Sequence, residues 1–426
     1  MVIKCGGTQL DRDLLQRLFR TAVAAADPAH AIARHLPPRP KGRTIVVGAG
    51  KASAQMAAAF ETLWAAPLSG LVVTRYGYAA PTTQIEIVEA SHPVPDEAGF
   101  LAARRMLEKV HGLGPDDLVV ALISGGGSAL LPVPGPGMNF DDEQALNRAL
   151  LRSGAPISVM NLIRNQLSAI KGGRLALHAS PARVATLVVS DVPGDDPALV
   201  ASGPTVPMTS SRAEARHLVQ LHDLALPLSA LELLAGTDNL PPSPADPRFA
   251  HNTVHVVASS SLSLEAAAAE ARQQGLAAHI LSDAIEGESR DVAKVMAGIA
   301  REIVLRGRPF SKPALLLSGG ETTVTVRGKG RGGRNAEFLL AFALAIEGLP
   351  GITALAGDTD GIDGSESNAG AFADGTSVAR MRAAGIDPRA ALGDNDAYTA
   401  FNAIGDLLVT GPTGTNVNDF RAILIR

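Results

Sequence analysis

The sequence predicts an α/β protein of two domains, each a mainly parallel sheet between helices (α/β/α). Three observations carry that expectation. Apolar, β-branched runs recur at 44–47, 71–74, 85–88, 118–123, 184–189, 254–258, 278–281, 315–317, 352–355 and 407–409, and strands apolar on both faces suit a parallel sheet covered on both sides. Helical periodicity alternates with these runs, the mark of repeated strand–helix units. A chain of 426 residues exceeds one compact core, and its densest cluster of chain breakers, at 237–248, divides it near residue 240. The expected domains are therefore 1–238 and 250–426.

Taken in order, the first helix shows Leu14, Leu15, Leu18, Phe19, Ala22 and Val23 on one face. The pattern leaves open which half this helix packs on. Asp27-Pro28 opens a second short helix. A further helix at 96–110 has Asp96 as its N-cap and Gly112 or Gly114 as its stop. Beyond Ala-rich helices such as 264–272 there is no low-complexity segment, and no internal repeat.

Composition narrows the function. Lys+Arg 38 against Asp+Glu 42 leaves no large cationic surface for nucleic acid or anionic lipid. The one cysteine, Cys5, has no partner for an internal disulfide or a zinc cage, which fits a reducing, cytoplasmic setting. No apolar signal core follows Met1, and the longest apolar run, 338–346, is about half a membrane span.

Chemistry-bearing residues gather at strand ends, where ligands of open α/β sheets bind. The first strand runs into Gly48-Ala-Gly50-Lys51-Ala-Ser53 and a helix, a turn whose amides are expected to face a phosphate or carboxylate beside the Lys51 charge. As a dinucleotide fingerprint it has Ser53 where the third glycine belongs, and Arg75 at the second strand end suits a 2′-phosphate better than a ribose hydroxyl. The strand 118–123 ends in Ser124-Gly125-Gly126-Gly127-Ser128, an unusually permissive anion nest. A third strand ends in Ser318-Gly319-Gly320-Glu321-Thr322.

Carboxylates follow two other strands. Asp191 and Asp195 are candidates for general base or metal ligand. Asp358, Asp360 and Asp363 begin like a calcium loop, but the glycine and glutamate that such a loop needs are missing; Mg²⁺ held by one or two carboxylates remains open. The segment Arg327-Gly-Lys329-Gly-Arg331-Gly-Gly-Arg334-Asn335 sets four cations before an apolar helix, an arrangement expected to grip phosphate. Thr413, Asn416 and Asn418 lie in a last candidate ligand loop at 410–419. His92, after a strand, is set aside as a packed or surface residue. No G-x-S-x-G elbow is present, which disfavours a serine hydrolase.

Seven of these segments, in order, resemble the class II glycerate kinases, whose C-terminal half is called the MOFRL domain: Val47-Gly-Ala-Gly-Lys51-Ala-Ser, Ser91-His-Pro-Val-Pro, Leu122-Ile-Ser-Gly-Gly-Gly-Ser-Ala-Leu, Ser190-Asp-Val-Pro-Gly-Asp195, Leu317-Ser-Gly-Gly-Glu-Thr-Thr-Val-Thr, Gly330-Arg-Gly-Gly-Arg-Asn335 and Thr410-Gly-Pro-Thr-Gly-Thr-Asn-Val-Asn418. The resemblance covers nearly the whole chain. It implies ATP-dependent phosphorylation of D-glycerate to 2-phosphoglycerate with Mg²⁺, in two α/β domains facing a cleft, the first Rossmann-like. It also implies that Lys51 and one arginine of the Gly330 loop, Arg331 or Arg334, are the key cations. Two other readings stay open: an NADPH-dependent hydroxypyruvate reductase, since family members have carried that name, and a noncatalytic sensor of a small phosphorylated acid. A homo-oligomer is neither required nor excluded.

Overall fold

The computed structural model describes residues 9–192, 194–237 and 239–426. Cys5, Pro193 of the Asp191 loop and Asp238 of the breaker cluster lie outside them. Two compact units emerge, Pro28–Val257 and a second that joins the chain up to Asp27 to Ala258–Arg426.

In the unit Pro28–Val257 the strands β1 (Thr44–Ala49), β2 (Ser69–Arg75), β3 (Ile85–Ala90), β4 (Leu118–Ser124), β5 (Arg183–Val189) and β6 (Thr253–Ala258) form one sheet in the order β3-β2-β1-β4-β5-β6. Strands β1 to β5 pair in parallel. This is the order of dinucleotide-binding sheets, with the chain reversing direction across the sheet between β1 and β4. One face buries Ile45, Val47, Val73, Val119, Ala121 and Val184 against Ala102, Met106 and Val110 of the helix Glu97–Val110. Asp96 caps that helix as expected, accepting from the Gly99 N–H at 3.0 Å. A satellite core of Leu146, Leu150, Ile163, Leu167, Val219 and Leu233 joins four helices inserted around β5.

The second unit carries β7 (Ala277–Ser282), β8 (Gly287–Glu288), β9 (Ala314–Ser318), β10 (Thr322–Thr323), β11 (Ile352–Asp358), β12 (Gly370–Asp374), β13 (Leu407–Leu408) and β14 (Asp419–Ile425). Its main sheet has the order β13-β12-β11-β14-β9-β7. Side chains alternate across it. Leu316, Ala354, Ala356 and Ile423 meet Phe338, Phe342 and Ala297 on one face. Leu315, Leu317, Leu355 and Leu424 meet Leu15, Leu18, Phe19, Leu264 and Ala268 on the other. The layering is α/β/α, as expected, and the α/β class holds for both units.

Three expectations change. The second sheet is mixed: only β7 and β9 pair in parallel, while β11/β12, β11/β14, β12/β13 and β9/β14 are antiparallel. Helices cover both faces, so its central strands read as continuously apolar whatever their direction, and the link between β11 and β12 is too short for a crossover helix. Strands β12 and β14 have no counterpart among the expected strands, although β14 is central. The units also differ from 1–238 and 250–426. Helix α1 (Gln9–Ala25) buries Leu14, Leu15, Leu18 and Phe19 in the second unit, and the Pro-rich segment is packed inside the first, with Pro242 against Gly173 and Phe249 against the sheet core. No helix among the described residues is long and apolar enough to cross a membrane.

Candidate active site

In the unit Pro28–Val257 the expected glycine turns meet at the reversal between β1 and β4. The Lys51 N–H donates to the Gly125 carbonyl at 2.8 Å, the Ala52 N–H to Ser124 Oγ at 3.0 Å, and the Ser53 and Ser124 hydroxyls are 3.1 Å apart. Gly50 N–H donates to Val73 and Ser53 N–H to Gly50. The turn Gly48, Gly50, Lys51, Ser53 therefore does not present its amides to an anion, as the sequence suggested; it spends them within the turn and on the ends of β2 and β4. What it presents is the Lys51 side chain. The amides of Gly125 and Gly126 donate to no protein acceptor among the described residues. A Cβ on Gly125 would overlap the Asp191 carboxylate, so this glycine lets the carboxylate lie against the turn. Gly126 is left-handed at φ 78°, and a Cβ there would lie 3.2 Å from His92 Nε2 and 3.3 Å from Lys51 Cγ. Lys51, His92, the glycine turn and Asp191 thus share one small region.

His92, set aside on sequence grounds, belongs to this site. Burial and the positive charges of Lys51, Arg75 and Arg164 push its pKa down to about 4, so the imidazole is neutral at pH 7. The backbone opposite the turn is strained. Ala201 and Ser202 hold φ of 53° and 60°, unusual for non-glycine residues and typical of functional sites. Ser202 Oγ lies 2.7 Å from Ser128 Oγ. Also missed were Asn161, Arg164 and Asn165 on the helix Ile157–Leu167. Their spacing, i, i+3, i+4, puts three buried polar groups on one face of the helix, a signal the sequence does contain.

In the second unit, pairing register fixes the site. Asp358 at the end of β11 lies opposite Asp419 at the start of β14, and Ser318 at the end of β9 opposite Arg421. Arg334 reaches into this edge. Its Nε donates to Asp419 Oδ1 and its Nη2 to Asp358 Oδ2, both at 2.7 Å, and its Nη1 to Glu321 Oε1 at 2.6 Å. Burial and neighbouring carboxylates raise the Asp358 pKa against the opposing pull of Arg334. Arg421 is fully buried and paired with Asp419. The helix Arg334–Ala345 does not offer its first amides to phosphate, because Asp363 already accepts from the Asn335 and Ala336 N–H groups at 3.0 and 2.8 Å. The basic loop is not a loose tip either. Lys329, Gly330 and Arg331 N–H groups are held by Asp394 and Asp396. Arg331 is exposed over the Tyr398 ring with a long contact to Glu366 at 3.4 Å.

The remaining candidates serve mainly as braces. Thr413 donates to the Thr359 carbonyl, Asn416 accepts from the Asn418 N–H, and Gly319 and Gly320 bond to Ser282 and to the Asp419 N–H. Of the expected metal ligands, Asp358 is held by Arg334, and no group of three or more metal-ligating side chains converges among the described residues.

Comparison with known proteins fits this geometry. A family model described as a domain of unknown function, DUF4147, matches residues 14–235, and the MOFRL family model matches residues 314–419. A relative in Agrobacterium vitis, provisionally named a hydroxypyruvate reductase, is 55% identical over 97% of this chain and 94% of its own. The glycerate 2-kinase of Pyrococcus horikoshii is 37% identical, with 96% of each chain covered. The crystal structure of a glycerate kinase from Thermotoga maritima superposes with a TM-score of 0.89 at 37% identity, covering 98% of this chain and all of the other. Two family models in order along the chain, and relatives aligned almost end to end, leave one conclusion: the chain belongs to the glycerate kinase family whose C-terminal half is the MOFRL domain.

Proposed function

We infer that this protein transfers the γ-phosphoryl group of ATP to the 2-hydroxyl of D-glycerate, giving 2-phosphoglycerate and ADP. The observation that carries the reading is the crowding of Lys51, His92, Asp191 and the Gly125-Gly126 turn at the reversal point of the first sheet. Phosphoryl transfer asks a protein chiefly for positioning and for neutralising spread negative charge. Lys51 supplies a positive charge, the free amides of Gly125 and Gly126 supply fixed donors, and the Asp191 carboxylate accepts the hydroxyl proton as the new O–P bond forms and ADP departs. Arg331, exposed and weakly paired, is the cation of the second unit assigned to the nucleotide phosphates. Arg334, satisfied by three carboxylates, positions them. Mg²⁺ would enter with the nucleotide, and no step above depends on it.

A reductase would hold a dinucleotide pyrophosphate on the first glycine turn, and the amides needed for that are already used within the protein. Following ADP release with D-glycerate, ATP and Mg²⁺, beside NADPH consumption with hydroxypyruvate, tests the two together. NADPH oxidation without ADP release would reverse the assignment.

A further inference from the structure

Arg164 is 6% exposed and forms no salt bridge among the described residues. Its Nε donates to Asn147 Oδ1 at 3.1 Å and its Nη1 to Asn161 Oδ1 at 3.3 Å, both neutral acceptors, and Nη2 donates to no protein group among the described residues. The charges around it do not balance. Lys171, fully buried, faces the buried Glu143 at 3.4 Å, so two buried cations share one carboxylate. A buried charge without a counterion is costly, and it is sustained where a ligand of opposite sign completes it.

A chain of hydrogen bonds links the guanidinium to the site already described. Asn161 Oδ1 also accepts from Ser202 Oγ at 3.1 Å, and Ser202 Oγ meets Ser128 Oγ at the end of the glycine turn. Arg164 is also one of the three cations that act on His92, beside the turn. We propose that Arg164, held by Asn147 and Asn161, binds the carboxylate of the acceptor, a short 2-hydroxy acid, and so selects acids over neutral polyols. The assignment rests on the kinase reading. Lys51 is then left for the transferring phosphoryl group, and Asn147 and Asn161 are positioning residues.

The test compares D-glycerate with its neutral amide and with glycerol in the wild-type protein and in Arg164→Lys and Arg164→Gln. The wild type should prefer the acid by at least about 100-fold in kcat/KM, the scale expected for a buried charge left unpaired. Arg164→Lys should raise the KM for glycerate by at least about tenfold with the KM for ATP unchanged, since the fork is lost and the charge kept. Arg164→Gln should bring the acid and the amide to near parity. A folded Arg164→Gln protein that still prefers the acid overturns the proposal. If Arg164→Gln does not fold, an unchanged glycerate KM in Arg164→Lys overturns it equally. Calorimetric titration with D-glycerate alone separates this from the kinase reading. Binding weakened in Arg164→Lys supports the anchor even if no ADP is formed, whereas equal binding, or none by the wild type, defeats the anchor even in an active kinase.

Discussion

Arg334 Nε donates to Asp419 Oδ1 at 2.7 Å, joining the first turn of a helix to the first residue of the last strand. With Asp358 and Glu321 on its other nitrogens, every nitrogen of the Arg334 guanidinium is engaged, and although burial pulls its pKa down, the charges of Asp419, Asp358 and Glu321 outweigh it and hold the pKa above the ordinary arginine value. Lysine cannot reproduce this three-way fork. Arg334→Lys should cost about 2–3 kcal/mol of stability through lost charge-assisted bonds, lowering the thermal midpoint by about 5–10 °C. Arg331→Lys should leave the midpoint unchanged and lower kcat/KM for ATP. Calorimetry beside steady-state kinetics checks both, and an unchanged kcat/KM would return Arg331 to the solvated surface.

Replacing Lys51 by Ala removes the side chain and keeps the backbone bond to Gly125 that fastens β1 to β4. The fold should therefore survive. Turnover should fall by about 2–4 kcal/mol of transition-state stabilisation, the scale of one preorganised electrostatic donor. Normal kinetics in a folded Lys51→Ala protein would remove this lysine from the mechanism.

Two groups, the half-buried His92 and the buried Asp363, should pull stability in opposite directions with pH. His92 has its pKa lowered to about 4, so between about pH 4 and its ordinary 6.5 the unfolded chain binds more protons, and stability drops on acidification. Asp363 has its pKa raised by burial to about 6, from an ordinary 3.8. Between these values the folded protein binds more protons, and stability grows on acidification. Asp363→Asn should expose the His92 loss below pH 6.5, and His92→Gln should expose the Asp363 gain below pH 6. Urea midpoints from pH 4 to 7 read both slopes, and parallel curves for wild type and variants would contradict them.

Carboxylate binding next to Arg164 should raise the His92 pKa, because an anion offsets the cations that depress it. NMR titration of the His92 ring with and without D-glycerate measures the change. An upward movement is expected, and a downward one would place the ligand elsewhere.

A fragment 28–257 should fold by itself, since it is one contiguous unit. A fragment 1–238 should not do so cleanly: it keeps the apolar face of α1 without its partners and cuts off β6. Circular dichroism and aggregation assays of the two fragments decide this, and a monodisperse 1–238 would show that α1 needs no cover.

Much of the α/β reading was legible because it is local. The runs around Val46, Val120 and Leu187 identify strands, and the glycines after β1 and β4 mark the end of the sheet that matters. What stayed hidden depends on partners remote in sequence. No local pattern tells that the Lys51 amide is taken by Gly125, that Asp363 caps the helix beginning at Arg334, or that α1 joins β11 and β14. Arg331 and Arg334 look alike in sequence, and register alone separates them by bringing Asp358 and Asp419 to the latter. Asn161, Arg164 and Asn165 were readable as one polar helix face, but only packing shows that the face turns inward.

The placement of α1 also sets an order on biosynthesis. This helix leaves the ribosome before the unit Pro28–Val257, and its partners, the helix Ser260–Gln273 and the strands β11 and β14, leave after it. At about 5–20 residues per second, its apolar face waits roughly ten seconds or more while the whole intervening unit is made. During that interval Leu14, Leu15, Leu18 and Phe19 form an uncovered stripe on a nascent chain. The nascent chain is therefore open to chaperone capture or to misassociation at this helix, and the emergence of β14 is what ends that exposure.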